Sequence, residues 1–240
     1  MKIAIIGYGK MGMEIEKIAI SRGHTVSLIV DKGNSNHYTQ ELSLVDVALE
    51  FTSPHSVIDN INNCFEFNVP IVVGTTGWMD KLDEVKKNCS QKDQTLFFAS
   101  NFSIGVNLFY KVNSFLANLM NTHPEYNVNI EEIHHIHKLD APSGTAISLA
   151  NQLMKELDTK SKWVNSASEK QNEISIISKR ENEVPGTHTV SYKSLIDELT
   201  ITHKANNREG FAIGAVIAAE WVIGKKGVFG MEDLLSSSKI

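Results

Sequence analysis

Apolar positions along the first hundred residues come in short unbroken runs. Between the runs, apolar residues recur every three or four positions. The runs are "KIAIIG" (2–7), "TVSLIVD" (25–31), "VDVALEFTSP" (45–54), "PIVVGTTG" (70–77) and "TLFFAS" (95–100). A strand buried on both faces reads this way, because neither face meets water. "KMGMEIEKIAISRG" (10–23), "HSVIDNINNCFEFN" (55–68) and "KLDEVKKNC" (81–89) are spaced as helices, the first stopping at Gly23. Strands alternating with helices predict a doubly wound parallel sheet.

The pattern changes after residue 104. "GVNLFYKVNSFLANLM" (105–120) and "SGTAISLANQLMKEL" (143–157) predict helices, the second with a serine cap. "YNVNIEEIHH" (126–135), "EISIISKRE" (173–181), "THTVSYKS" (187–194) and "DELTITHKA" (197–205) alternate with period two, as half-buried strands do. The polar stretch 160–172 is assigned to a loop. "FAIGAVIAAEWVIG" (211–224) is apolar enough that it must be buried, and it is assigned back to the first domain. The expected class is α/β. A parallel-sheet domain spans 1–104 and 212–240, and a smaller α+β domain with a mixed or antiparallel sheet spans 105–211.

Composition narrows the function. The 240-residue chain carries a net charge of −5 and is 42% hydrophobic. No global positive field draws it to nucleic acid or to an anionic membrane. No stretch approaches the ~20 apolar residues of a membrane span. The first apolar run breaks into glycines without a cleavage pattern, so it is a buried strand and not a signal peptide. Two cysteines, Cys64 and Cys89, have no motif spacing, which predicts a reducing compartment, the cytoplasm.

"GYGKMG" places Gly7, Gly9 and Gly12 in G-x-G-x-x-G spacing, directly after a predicted strand and opening a predicted helix. That context makes the match informative for a dinucleotide. Gly7 permits the turn, Gly9 lets a pyrophosphate approach the backbone, and Gly12 allows close helix packing. Asp31 ends the second strand, where an acid accepts ribose hydroxyls, and the cation of Lys32 beside it can receive a 2′-phosphate. Both NADH and NADPH are therefore expected cofactors. "GTTG" (74–77) and "ASNFSIGVN" (99–107) follow later strands and fall on the same ligand-binding edge.

The densest chemistry is "EIHHIHKLDAPSGTA" (132–146). Its H-H-x-H run has donors for zinc, but the ammonium of Lys138 opposes a cation, no cysteine lies close, and Glu131 and Glu132 point to opposite strand faces. No metal is expected. An accidental cluster of exposed histidines is the plain alternative. Histidine with lysine, however, binds carboxylates and supplies protons near neutral pH. "PSGT" opens a helix whose free N–H groups, with the hydroxyls of Ser143 and Thr145, form a second anion site. Together with a nicotinamide, these groups suit reduction of a polarised C=N or C=C bond in an acidic substrate.

The same stretch resembles the signature of the 4-hydroxy-tetrahydrodipicolinate reductase (dihydrodipicolinate reductase) family. "GYGKMG", "EFTSP", "GTTGW", "ASNFSIGVN", "VPGTHTV", "HKANNREGFAIGAV" and "GVFGMEDLL" follow in that family's order, so the resemblance covers nearly the whole chain. It implies a Rossmann-like cofactor domain, a substrate domain that builds a homotetramer, and a cyclic dicarboxylate substrate of the diaminopimelate route to lysine. By position it implies His134 as proton donor or acceptor and Lys138 as the catalytic lysine. His135, Ser143, Gly144, Thr145 and Arg208 are the implied substrate contacts. The implied cofactor positions are Gly7, Tyr8, Gly9, Lys10, Met11, Gly12, Asp31, Lys32, Gly74, Thr75, Thr76, Ala99, Ser100, Asn101 and Phe102. Two features depart from the family pattern: the glycine loop is one residue shorter, and the stretch between Asp31 and "EFTSP" is short. A cofactor-binding sensor without turnover, or another small dehydrogenase on the same fold, is the rival reading; neither needs "HHxHK" beside "PSGT".

Overall fold

The computed structural model describes residues 1–31, 33, 39–207 and 209–237. Lys32 and Arg208, both singled out above, lie outside the described residues. The chain divides into two compact units, Met1–Ile104 with Glu209–Ile240, and Gly105–Arg208. The return to the first unit falls at Glu209 and not at 212, because one continuous helix begins there.

The first unit starts with strands β1 (Lys2–Ile6), β2 (Thr25–Val30), β3 (Val47–Glu50), β4 (Ile71–Val73) and β5 (Thr95–Phe98), alternating with helices α1 (Lys10–Ser21), α2 (Thr39–Leu42), α3 (Val57–Glu66) and α4 (Leu82–Gln91). Along β1, Ile3 and Ile5 enter one buried cluster while Ala4 and Ile6 enter another. That is why the strand reads as an unbroken apolar run: it has two cores, one on each side.

The second unit holds α5 (Ile104–Met120), β6 (Asn127–His134), α6 (Gly144–Glu156), β7 (Lys162–Val164), β8 (Glu173–Arg180), β9 (Thr187–Lys193) and β10 (Glu198–Lys204). Its sheet runs β10-β9-β6-β8-β7. It is mixed, with β6 parallel to β8 and antiparallel to β9. β7 falls in the stretch assigned above to a loop. It is three residues long, too short for period-two alternation to show, and it exists by pairing with β8. The buried face of β6 carries Val128 and Ile130, which pack on Ala146, Leu149, Ala150 and Leu153 of α6.

The chain then returns through α7 (Glu209–Val222), β11 (Gly227–Phe229) and α8 (Met231–Ser237). β11 completes a six-stranded parallel sheet in the order β11-β5-β4-β3-β1-β2. α7 is buried by its small residues. A Cβ on Gly214 would stand 1.8 Å from the Phe102 carbonyl oxygen. No helix among the described residues is long and apolar enough to cross a membrane.

Candidate active site

At the carboxyl end of β1 the three glycines meet three different surroundings. Gly7 has φ +97°, and a Cβ there would lie 2.2 Å from the Phe51 carbonyl oxygen. A Cβ on Gly12 would lie 2.3 Å from the carbonyl oxygen of Gly7. Both positions are closed by backbone. Gly9 has nothing within 4 Å of where its Cβ would be. It opens on a cavity of about 480 Å³ lined by Gly7, Tyr8, Gly9 and Asp31 on one side and by Thr52, Ser53, Ser56 and Asn60 on the other. The chemistry of that wall fits a dinucleotide: backbone N–H groups at the start of α1 for the diphosphate, an acid and hydroxyls for a ribose.

Lys10 is exposed and Met11 packs against the core; neither lines this cavity. Gly74, Thr75, Thr76, Ala99, Ser100, Asn101 and Phe102 also lie outside its wall. Gly74 sits against the Phe51 ring, and Thr75 Oγ1 accepts the Thr52 N–H at 2.7 Å. Phe102 is buried and stacks on Phe97, with centroids 5.9 Å apart. Thr52, Ser53, Ser56 and Asn60 were missed as site residues. For Thr52 and Ser53 the signal was present in "EFTSP", where hydroxyls follow the carboxyl end of a parallel strand. Beneath them the buried Glu50 carboxyl accepts from the Thr52 hydroxyl and from Asn60 Nδ2 at 3.2 Å, and burial pushes its pKa up.

In the second unit, the apolar face of β6 ends in charge. Glu132 and His134 continue the buried positions of Val128 and Ile130. Glu132 is fully buried, and both its oxygens accept the Ser143 N–H, at 3.0 and 3.1 Å. Ser143 caps α6, its Oγ accepting the Ala146 N–H at 3.2 Å and lying 3.1 Å from His188 Nε2. The first turn of the helix, Gly144 and Thr145, therefore presents N–H groups with no acceptor inside the helix. Gly144 is exposed, with nothing within 4 Å of its missing Cβ. Thr145 is half-buried and bonds the hydroxyl of Tyr110, which is itself half-buried.

His134 lies in the same corner, its ring 5.0 Å from that of His188 and its Nδ1 3.5 Å from Glu132 Oε2. Burial, then the neighbouring His188, hold its pKa down at about 4. Burial works against the Glu132 carboxylate, but hydrogen bonds from His188, Ser143 and Ser178 outweigh it and hold that pKa at about 2. Lys138 Nζ pairs with both oxygens of Asp140 at 2.8 Å. Arg180 holds this loop, donating to the carbonyls of Lys138 at 3.2 Å and Asp140 at 2.6 Å. His135 is half-buried beside the exposed His137, which faces Glu183 at 3.4 Å.

Glu132, His134 and His188 also bring three possible ligand atoms within 4.8 Å of one another. His188 is 54 positions from His134, so this trio is not the H-H-x-H run weighed above. The guanidinium of Arg180 stands 3.7 Å from the same carboxylate and opposes a metal ion there.

A parallel sheet with an open glycine turn, joined in one chain to a cationic, carboxylate-ready corner, defines a dinucleotide-dependent oxidoreductase acting on a small acid. Comparison with known proteins agrees. Residues 1–102 match the model of the dihydrodipicolinate reductase N-terminus, and residues 105–235 match that of its C-terminus. The chain is 46% identical to the 4-hydroxy-tetrahydrodipicolinate reductase of Christiangramia forsetii over 98% of both chains. It is 34% identical to that of Methanoregula boonei, over 81% of this chain and 76% of the other. Its structure superposes with a TM-score of 0.80, at 25% identity, on a dipicolinate-bound dihydrodipicolinate reductase from Paenisporosarcina, covering 97% and 98% of the chains. An amine dehydrogenase from Mycobacterium smegmatis, 10% identical with a TM-score of 0.63, shares the fold alone. The chain belongs to the dihydrodipicolinate reductase family and is an NAD(P)H-dependent oxidoreductase.

Proposed function

We propose that the chain reduces 4-hydroxy-tetrahydrodipicolinate to tetrahydrodipicolinate with NADH or NADPH, in the diaminopimelate route to lysine. The observation that carries this reading is the convergence of His134 and the Ser143 cap of α6 on one buried carboxylate, with Lys138 on the loop between them. Dipicolinate, the planar ring diacid bound by the Paenisporosarcina relative, has the charge and shape such a corner suits.

One substrate carboxylate sits on the N–H groups of Gly144 and Thr145, with the Ser143 and Thr145 hydroxyls beside it. His135 flanks the ring, and Arg208 is assigned to the same substrate from its sequence position alone. Lys138 exchanges Asp140 for a substrate carboxylate and places its ammonium where negative charge develops. His134 is neutral near pH 7. A bound dianion draws its proton affinity upward, so the ring can take a proton and hand it to the substrate. The nicotinamide, when bound, supplies the hydride. In the first unit Gly7, Tyr8, Gly9, Lys10, Met11 and Gly12 hold the diphosphate and Asp31 the ribose, with Lys32 beside it. Gly74, Thr75, Thr76 and Ala99, Ser100, Asn101, Phe102 take the nicotinamide end.

The assembly is a homotetramer in the cytoplasm. The exposed Leu108, Val112, Phe115 and Leu119 along α5 support self-association, and two free buried thiols suit a reducing compartment. The test is a coupled assay. Purified protein consumes NADH or NADPH only when pyruvate and aspartate semialdehyde are first condensed by the upstream synthase. No loss of absorbance at high protein concentration overturns the reading.

A further inference from the structure

The strand pairing around His134 carries two groups that the reaction above does not use. Glu132 lies two residues before His134 on the same buried face, and His188 on β9 is its direct cross-strand partner. The Glu132 carboxylate touches the Ser143 N–H at 3.0 and 3.1 Å and faces His134 Nδ1 at 3.5 Å. His188 Nε2 spans Ser143 Oγ at 3.1 Å and Glu132 Oε2 at 3.7 Å. A single buried carboxylate therefore contacts both the cap of the helix that takes the substrate carboxylate and the ring assigned to proton transfer.

We infer that Glu132 and His188 are positioning residues: they hold His134 as the Nδ1–H tautomer and lock that orientation to the start of α6. The inference rests on the reaction proposed above. A ring nitrogen that faces a carboxylate keeps the proton, and the other nitrogen then presents its lone pair. His134 Nδ1 is buried, and among the described residues Glu132 is the anionic group facing it, 3.5 Å away, beyond a normal hydrogen bond in this structure. A closure of a few tenths of an ångström makes that bond, and catalytic contacts commonly tighten on binding. A side chain at the neighbouring Gly186 would crowd Nε2. That residue has φ +155°, and a Cβ there would stand 3.1 Å from Nε2.

The charges around the ring are arranged for this role. Glu132 raises the proton affinity of His134, while His188, Lys138 and Arg180 lower it. Asp140 is taken up by Lys138, and His203 on β10 faces His188 from the far side. Glu132 is thus the one group among them that favours a proton on His134. The buried amide anchor at Ser143 is a separate duty of the same side chain, so the two duties separate by substitution. In Glu132→Gln an amide oxygen remains for the Ser143 N–H, but the charge is lost.

The experiment uses the full chain and two readouts. At pH 7, without substrate or coenzyme, ring nitrogen and carbon NMR shifts report the His134 tautomer. Steady-state kinetics report kcat and KM separately. Expected for Glu132→Gln is a His134 ring moved from Nδ1–H toward the Nε2–H form, a kcat lowered roughly 10- to 100-fold, and a KM within about threefold of the parent. His188→Asn, which leaves the carboxylate in place, is expected to move both readouts in the same direction by less. It carries the test if Glu132→Gln fails to fold. An unchanged tautomer in the folded variants overturns the inference, as does a kcat that falls only with the folded fraction. A parent protein that holds Nδ1–H yet turns nothing over overturns the reaction and not the tautomer assignment.

Discussion

The two sites are built on opposite plans. The cleft beside the glycine turn is made by side chains that are missing: Gly7 and Gly12 let backbone meet backbone, and Gly9 leaves the opening. Its contacts are N–H groups and hydroxyls, and among the described residues its one charged wall residue is Asp31. The corner under α6 is made by side chains that are present, charged and mostly buried: Glu132, His134, His188, Lys138 and Arg180. The first plan fails by steric intrusion, whatever the pH. The second fails when a charge or a proton is misplaced. On the reading proposed above, one protein thus has a cofactor site sensitive to volume and a substrate site sensitive to electrostatics.

The sharpest break comes from the charged corner. His134→Ala and Lys138→Ala each lower kcat by roughly two to four orders of magnitude, the range for lost acid–base and charge-stabilising groups. Coenzyme affinity, read by quenching of protein fluorescence, stays within about twofold, because neither residue lines the cleft. Loss of coenzyme binding in either variant would erase the distinction between the two sites.

Gly7→Ala is the steric counterpart. Its methyl meets the Phe51 carbonyl oxygen at 2.2 Å in a backbone conformation of φ +97°, so about 3 kcal/mol of stability is lost, read by denaturant unfolding.

Acid separates the units next. The unfolded chain protonates His134 near its ordinary 6.5, while the folded protein resists until about 4. The stabilisation is complete above pH 6.5 and is lost as the pH falls toward 4, by about 2 to 3 kcal/mol. Glu132 adds a loss in the same direction between its ordinary 4.5 and about 2. Hydrogen exchange at pH 7 and pH 5 should therefore show strands of the second unit opening first. Uniform loss across both units would mean that the buried network is not the acid-sensitive element.

The smallest effect is the most selective. Gly9→Ala leaves unfolding unchanged, since its methyl meets nothing within 4 Å, but weakens NADH binding about tenfold by filling the approach to the backbone. An altered unfolding midpoint would place Gly9 in the packing with Gly7 and Gly12.

Much of this was legible in one dimension. Unbroken apolar runs announced strands with a core on each face, "GYGKMG" announced the turn, and the serine of "PSGT" announced a helix cap, because each depends on neighbours a few residues away. β7 was not legible, since three residues show no period and the strand exists only through its partner. The hydroxyls after "EF" read as the end of a strand until the sheet order set β3 beside β1.

By itself, then, the amino-acid order determined the element types, the glycine turn and the inventory of the histidine–lysine stretch. Tertiary structure alone decided that Glu132 lies inside and Glu131 outside with Lys179, that His188 joins His134 across 54 positions, and that Asp140 holds Lys138. The reason is physical. Local periodicity fixes how a segment presents its faces, but a buried charge acquires its partner, and so its proton, only when distant strands come into register.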